Sequence, residues 1–230
     1  MAILITGSSS GLGLELAKYY VEQQVEVVGC SRSGTPINAA NFTDYKTNVS
    51  VENSIMDMFR DLSDKKINID TIIHCAGISQ ASLAIMTSSK KAREILDVNF
   101  LGMFMVTREA VKKMMLRGFG RIVLISSVNV PLHSKGGCIY NASKAAAENL
   151  MKTMTTEFGS LDITFNSLGL SIIKDTGMAS ELNSKAAKEK RDQLDKPIDL
   201  DISDITHAID FFTHKNAGKV SGQTLYLGAP

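Results

Sequence analysis

Short apolar runs alternate along the chain with segments whose apolar residues recur at helical spacing. Ile3-Leu4-Ile5 is a continuous apolar run stopped by Gly7, the pattern of a strand buried on both faces. Leu12, Leu14, Leu16, Ala17, Tyr20 and Val21 follow at helical spacing. The alternation then repeats. Further strands are predicted at Val25–Cys30, Thr43–Lys46, Asp70–Cys75, Arg121–Ser126, Leu161–Leu168 and Gln223–Leu227. Helices are predicted at Val51–Leu62, Ser88–Arg117, Ile139–Phe158, Ala179–Arg191 and Ser203–Thr213. Strands and helices taking turns over the whole chain predict an α/β protein. Its sheet is doubly wound, seven-stranded and mostly parallel, with helices on both faces.

Length and charge narrow this picture. At 230 residues the chain can bury a sizeable core and reads as a single domain, 1–230. A net charge of +1 gives no broad basic footprint, so no nucleic-acid partner is expected. The longest apolar stretches are too short to span a bilayer, so no membrane is expected either. The first strand leaves no room for a signal peptide, and a cytoplasmic location is expected. Three cysteines make no disulfide framework. Cys30 and Cys75 close predicted strands and Cys138 precedes Tyr140; all three read as small apolar residues. No metal-ligand set is assigned.

The candidate chemistry lies where such sheets bind ligands, outside the carboxyl ends of the strands. Thr6-Gly7-Ser8-Ser9-Ser10-Gly11-Leu12-Gly13 joins the first strand to the first helix. Its glycines allow a tight turn and a close backbone approach to a pyrophosphate at the helix N-terminus. After the second strand stand Ser31 and Arg32, where an acidic residue would bind a ribose 2′-OH. An arginine without that carboxylate can pair with a 2′-phosphate, which favours NADP(H) over NAD(H). Tyr140 and Lys144 lie four apart, on one face of a helix. A nearby ammonium can lower a phenol's pKa from about 10 towards neutrality. Ser127, on another element, can hold a carbonyl oxygen against that phenol.

These residues, in this order and spacing, resemble the short-chain dehydrogenase/reductase family in its shorter, single-domain branch. Thr6-Gly7-x-x-x-Gly11-x-Gly13 matches the family's TGxxxGxG turn, and Tyr140-Asn141-Ala142-Ser143-Lys144 its YxASK. Asn99 matches the family's asparagine, Ser127 its serine, and Ser221-Gly222-Gln223 is similar to its TGQ. The resemblance implies a Rossmann-type fold and a catalytic tetrad of Asn99, Ser127, Tyr140 and Lys144. Tyr140 would be general acid or base, and Ser127 would bond the substrate oxygen. Lys144 would hold the nicotinamide ribose, and Asn99 would place a water. Cofactor contacts would come from Gly7, Ser9, Ser10, Gly11, Leu12 and Gly13, from Ser31, Arg32, Asn48 and Val49, and from Cys75, Ala76 and Gly77. Tyr140, Lys144, Ile173 and Thr176 would complete them.

The chain departs from the family in several places. Asn48-Val49 replaces Asp-Val, His74-Cys75 replaces two asparagines, and Leu170-Ser171 stands where Pro-Gly is usual. A lid is expected at about 178–197, a solvated face with Lys185, Lys188, Lys190, Arg191 and Lys196 among carboxylates. Asn129, Val130 and His133 are expected in the pocket wall. The implied activity is hydride transfer between nicotinamide and a carbonyl or secondary alcohol, with 3-oxoacyl thioesters as the leading substrate class. The alternatives are a dehydrogenase of sugar, steroid or secondary-metabolite alcohols, and a non-catalytic NADP(H) sensor. The apolar content of the two long helices, including Leu101, Met103, Met105, Val106, Ala147 and Met151, implies a homodimer or homotetramer.

Overall fold

The structure, a computed structural model, describes residues 2–174, 188 and 191–230. The chain begins β1 (Ala2–Thr6), α1 (Gly11–Glu22), β2 (Glu26–Ser31), β3 (Phe42–Lys46), α2 (Glu52–Asp64) and β4 (Ile69–His74). It continues α3 (Ser89–Leu96), α4 (Met103–Arg117), β5 (Phe119–Ser127), α5 (Asn129–Leu132) and α6 (Cys138–Glu157). It closes with β6 (Asp162–Leu170), α7 (Ile202–Thr213) and β7 (Thr224–Leu227). The seven strands form one sheet in the order β3-β2-β1-β4-β5-β6-β7, and every pairing is parallel. This is the Rossmann-like arrangement. Strand order reverses between β1 and β4, which opens a crevice at the carboxyl edge there.

The apolar runs predicted as strands are buried because each strand feeds two cores. Leu4, Ile72, Ile122 and Leu124 point into one, with Ile55, Phe59, Val106, Met114 and Met151 of α2, α4 and α6. Ile3, Ile5, Ile73 and Val123 point into the other, with Leu16, Ile209 and Phe212 of α1 and α7. Alternate side chains of a strand face opposite sides, so a run with no polar gaps needs helices on both.

Two expectations change here. The stretch read as one helix over Ser88–Arg117 is α3 and α4 joined by a wide π turn, Asp97–Gly102. Such turns occur often at functional sites, and this one carries Asn99. About half of the apolar surplus attributed to association is spent inside the chain, while Met105, Ala146 and Leu150 are half-buried and Ala145 is exposed. Met103, Val106, Ala147, Met151 and Met154 are all buried, whereas Leu101, Met115 and Leu116 stay exposed. Thr176, most of the helix predicted at 179–191 and the first part of the expected lid lie outside the described residues. Beyond them, Arg191 grips Asp199 with two bonds of 2.8 and 2.5 Å. Among the described residues no helix is long and apolar enough to cross a membrane.

Candidate active site

The loops that follow β1, β2, β4 and β5 meet at the carboxyl edge, where parallel register brings their ends level. The turn after β1 begins at Gly7, with φ +74°. A Cβ there would lie 2.8 Å from Ala76 Cα, so only glycine lets this turn pack on the Ala76-Gly77 loop. Gly11 also has positive φ, +54°, and open space where a Cβ would be. Ser10 precedes α1 without a side-chain bond to it, so the first amides of the helix carry no side-chain cap. Ser9 is half-buried and Ser10 exposed beside them. Uncapped amides, open space at Gly11 and a helix N-terminus together suit a phosphate.

Ser31 is buried, its hydroxyl accepting from the Gly34 N–H at 3.1 Å. Arg32 is exposed and lines a cavity of about 510 Å³ together with Asn48, Ile78, Lys90, Arg93 and Val98. Asn48 Oδ1 accepts from the Ser50 N–H and hydroxyl, at 3.1 and 2.8 Å. Val49 is buried in the core and does not line this cavity. Cavities of this size suit small ligands, and the residues around this one fit the adenosine end of a dinucleotide.

Tyr140, Lys144 and Ser127 come together at the ends of α6 and β5. Lys144 Nζ lies 5.9 Å from the Tyr140 ring centre and donates to the Ile125 carbonyl at 2.7 Å. Burial pushes the Lys144 ammonium down to about 8, against the opposing pull of Cys75 and Glu148. The Tyr140 phenol is pushed up by burial, and the Ser127 hydroxyl beside it pulls the other way. This departs from the expectation of a phenol lowered by the ammonium: burial is the largest influence on it, and the Ser127 hydroxyl, not Lys144, opposes that influence. Ser127 Oγ accepts from the Asn129 N–H at 3.2 Å. Asn129 and Val130 are half-buried nearby, and His133 is exposed.

Asn99 is buried and works as a brace. Its Oδ1 accepts from the Ile78 N–H at 2.7 Å, and its Nδ2 donates to Ile78 O and Ser143 Oγ, each at 3.0 Å. Both amide protons are spent, so only the second lone pair of Oδ1 is left to meet a water. A Cβ on Gly77 would sit 3.5 Å from Asn99 Oδ1 and 3.7 Å from Lys144 Nζ, so the glycine leaves room between them. Ala76 N–H donates to the Thr6 hydroxyl at 3.2 Å. The Cys75 thiol is pushed up to about 12 by burial and stays protonated. His74 is buried against the Thr107 hydroxyl at 2.8 Å, and burial lowers it to about 3. It is a neutral structural residue.

After β6 the chain departs from the expected loop. Leu170 completes the strand and its carbonyl accepts from Val128 N–H at 3.1 Å. The Ser171 hydroxyl is buried and unpartnered among the described residues. Ile173 joins the second core and pairs in a parallel bridge with Leu200.

Other contributors were not legible. Gln80 Oε1 accepts from the Ile139 and Tyr140 N–H groups, at 3.0 and 3.2 Å, and so caps the first turn of α6. No sequence signal marks a cap supplied from 59 residues away. Glu148 is buried one turn beyond Lys144 and takes hydroxyls from Ser126 and Tyr226. Its spacing from Lys144 is visible in sequence, but its burial is not. Among the described residues no group of three or more His, Cys, Asp or Glu could hold a metal ion.

The family model for short chain dehydrogenase matches residues 1–187. The 3-oxoacyl-acyl-carrier-protein reductase FabG of Buchnera aphidicola subsp. Schizaphis graminum is 26% identical, over 97% of this chain and 94% of that one. The enzyme of the same name from Rickettsia prowazekii is 28% identical, over 97% and 93%. A structure of 4-hydroxyisoleucine dehydrogenase complexed with NADH and succinate has a TM-score of 0.90 at 25% identity, covering 99% of this chain and 98% of that one. Actinorhodin polyketide ketoreductase with NADPH shares the fold, with a TM-score of 0.86 at 20% identity over 98% and 95%. The chain belongs to the short chain dehydrogenase family, as a nicotinamide-dependent oxidoreductase acting on an alcohol or keto group.

Proposed function

We propose that the protein is an NADP(H)-dependent ketoreductase acting on a 3-oxoacyl thioester, with Tyr140 as its general acid. One observation carries the reading: the half-buried Tyr140 ring stands beside the Ser127 hydroxyl with Lys144 Nζ 5.9 Å from its centre, at the carboxyl edge of the sheet. The bound nicotinamide supplies or accepts the hydride. Ser127 Oγ accepts the Asn129 N–H and its hydroxyl bonds the Tyr140 phenol, so a substrate carbonyl entering between the two would take the Ser127 proton. Tyr140 gives its proton to the same oxygen as negative charge develops there. Lys144 spends one of its three protons on Ile125, leaving two for the ribose hydroxyls of the cofactor. Asn99 braces α6 through Ser143, and its free lone pair serves a water that links Lys144 to solvent. The amides of Gly11, Leu12 and Gly13 take the pyrophosphate, with Ser9 and Ser10 beside it. Arg32 takes the 2′-phosphate.

The relatives named 3-oxoacyl-acyl-carrier-protein reductases support this substrate class. A second reading, oxidation of a secondary alcohol, is supported by the structural likeness to the hydroxyisoleucine dehydrogenase. The tetrad serves both directions. In this proposal one domain spans 1–230, with its lid at about 178–197, and copies associate through α4 and α6.

Tyr140→Phe tests the assignment. Reduction of 3-oxobutanoyl coenzyme A by NADPH is expected to fall by about 10³-fold or more, since a positioned acid contributes roughly 10²–10⁴. The Kd for NADPH is expected to hold. Retained turnover overturns the reading.

A further inference from the structure

The cavity that holds Arg32 carries more positive charge than that residue supplies. Lys90 and Arg93 line it as well, three apart on α3 and so on one helix face. Arg32, Lys90 and Arg93 are all exposed, and none has an ion-pair partner among the described residues. Most basic side chains of α3 and α4 behave differently. Lys91 pairs with Glu94, Arg108 with Glu52, Lys112 with Glu109, and Arg117 with Asp70. Two carboxylates also face the cavity, Glu94 and Asp97. Glu94 is held by Lys91 at 3.1 Å, which leaves Asp97 against three cations. Asn48 adds to the imbalance: Ser50 occupies its carbonyl oxygen, so its amide protons are the group it has to offer.

Unpaired cations brought to one cavity from two different elements suit a compact anion there. The pyrophosphate is accounted for at the N-terminus of α1. A second anion at the adenosine end of a dinucleotide is the phosphomonoester on the 2′ position. We propose that Lys90 and Arg93 are specificity-determining residues, forming with Arg32 a site for that 2′-phosphate. This rests on reading the cavity as the adenosine end of the cofactor site. It predicts that selectivity for NADP(H) is shared between the loop after β2 and α3.

The test is binding rather than turnover. Dissociation constants for NADPH, NADH, 2′,5′-ADP and 5′-AMP are measured by titration calorimetry, for the wild type, Lys90→Ala/Arg93→Ala and Arg93→Glu. The wild type is expected to favour NADPH and 2′,5′-ADP. The double variant should lose about two- to fivefold for each cation on those two ligands, the upper range of an exposed charge pair. Arg93→Glu should lose more, and NADH and 5′-AMP should change little for either variant. An unchanged NADPH to NADH ratio in both variants overturns the proposal and leaves the Arg32 reading standing. Equal losses on all four ligands overturn it too, because the cations then act on shared parts of the nucleotide or on the fold. A wild type that binds NADH as tightly as NADPH overturns the Arg32 reading and this proposal together.

Discussion

Residue chemistry at the edge of the sheet is set by burial more than by pairing. The Tyr140 phenol and the Lys144 ammonium sit within one helical turn, yet desolvation moves each away from its charged form. The phenol therefore keeps its proton across the working range, and Lys144 is the group that titrates. As pH rises through about 8 the ammonium loses its charge and one of its donors. Carbonyl reduction and NADPH affinity are expected to fall together above that pH, with about tenfold lost per unit on the alkaline limb. A pH series of kcat/KM beside NADPH Kd checks this. A profile that stays flat to pH 10 would show that Lys144 holds its proton and that burial is not the dominant influence on it.

Elements act by fixing where these groups stand. α6 brings Tyr140 and Lys144 to the edge, but its first turn has no cap of its own: Gly137 offers no side chain. Gln80 supplies the acceptor from the loop after β4, and the Ser82 N–H adds a bond of 2.9 Å to the Gly136 carbonyl. The same loop is held from behind by Asn99 through Ile78. Gln80→Leu leaves two amides without an acceptor and is expected to cost about 1 kcal/mol of stability, as lost caps do. Turnover should fall more than NADPH affinity, because the loss is at Tyr140 and not at the phosphates. Gln80→Glu keeps an acceptor oxygen for both amides while giving up the Nε2 bonds to Ser82 and Thr87, and should restore most of kcat. Comparing kcat and NADPH Kd across the two variants decides the point; equal kcat in wild type and Gln80→Leu would show that the cap does not position Tyr140.

The whole molecule pays for one substitution at its centre. His74 stands at the end of β4, fully buried against Thr107, and burial holds its pKa at about 3. The sign follows from linkage. Its folded pKa lies below the unfolded value of about 6.5, so on acidification the unfolded chain takes a proton that the folded one refuses. Stability is complete above about pH 6.5 and falls below it, at up to about 1.4 kcal/mol per pH unit for this one group. Urea unfolding at pH 7 and pH 5 should show a larger drop for the wild type than for His74→Asn. Equal drops would mean that His74 does not carry the acid sensitivity.

The pattern of apolar runs determined the class of fold and the placement of its strands, because burial on both faces demands uninterrupted apolar sequence. Local spacing likewise determined that Tyr140 and Lys144 share a helix face and that Gly7 and Gly11 form a turn, since helical period and glycine's dihedral freedom act over a few residues. Element ends were less legible: β5 runs from Phe119 and β6 reaches Leu170, because pairing with neighbours extends a strand past its apolar core. Only the tertiary structure decided that Ser88–Arg117 breaks at a π turn, that Gln80 caps α6, that Glu148 is buried behind Lys144, and that Lys90 and Arg93 share a cavity with Arg32. Each of these depends on distant segments meeting, and in sequence their polar residues look the same as any solvated helix face. The direction of the Tyr140 shift belongs with them, since desolvation is a property of the space around a group and not of its neighbours along the chain.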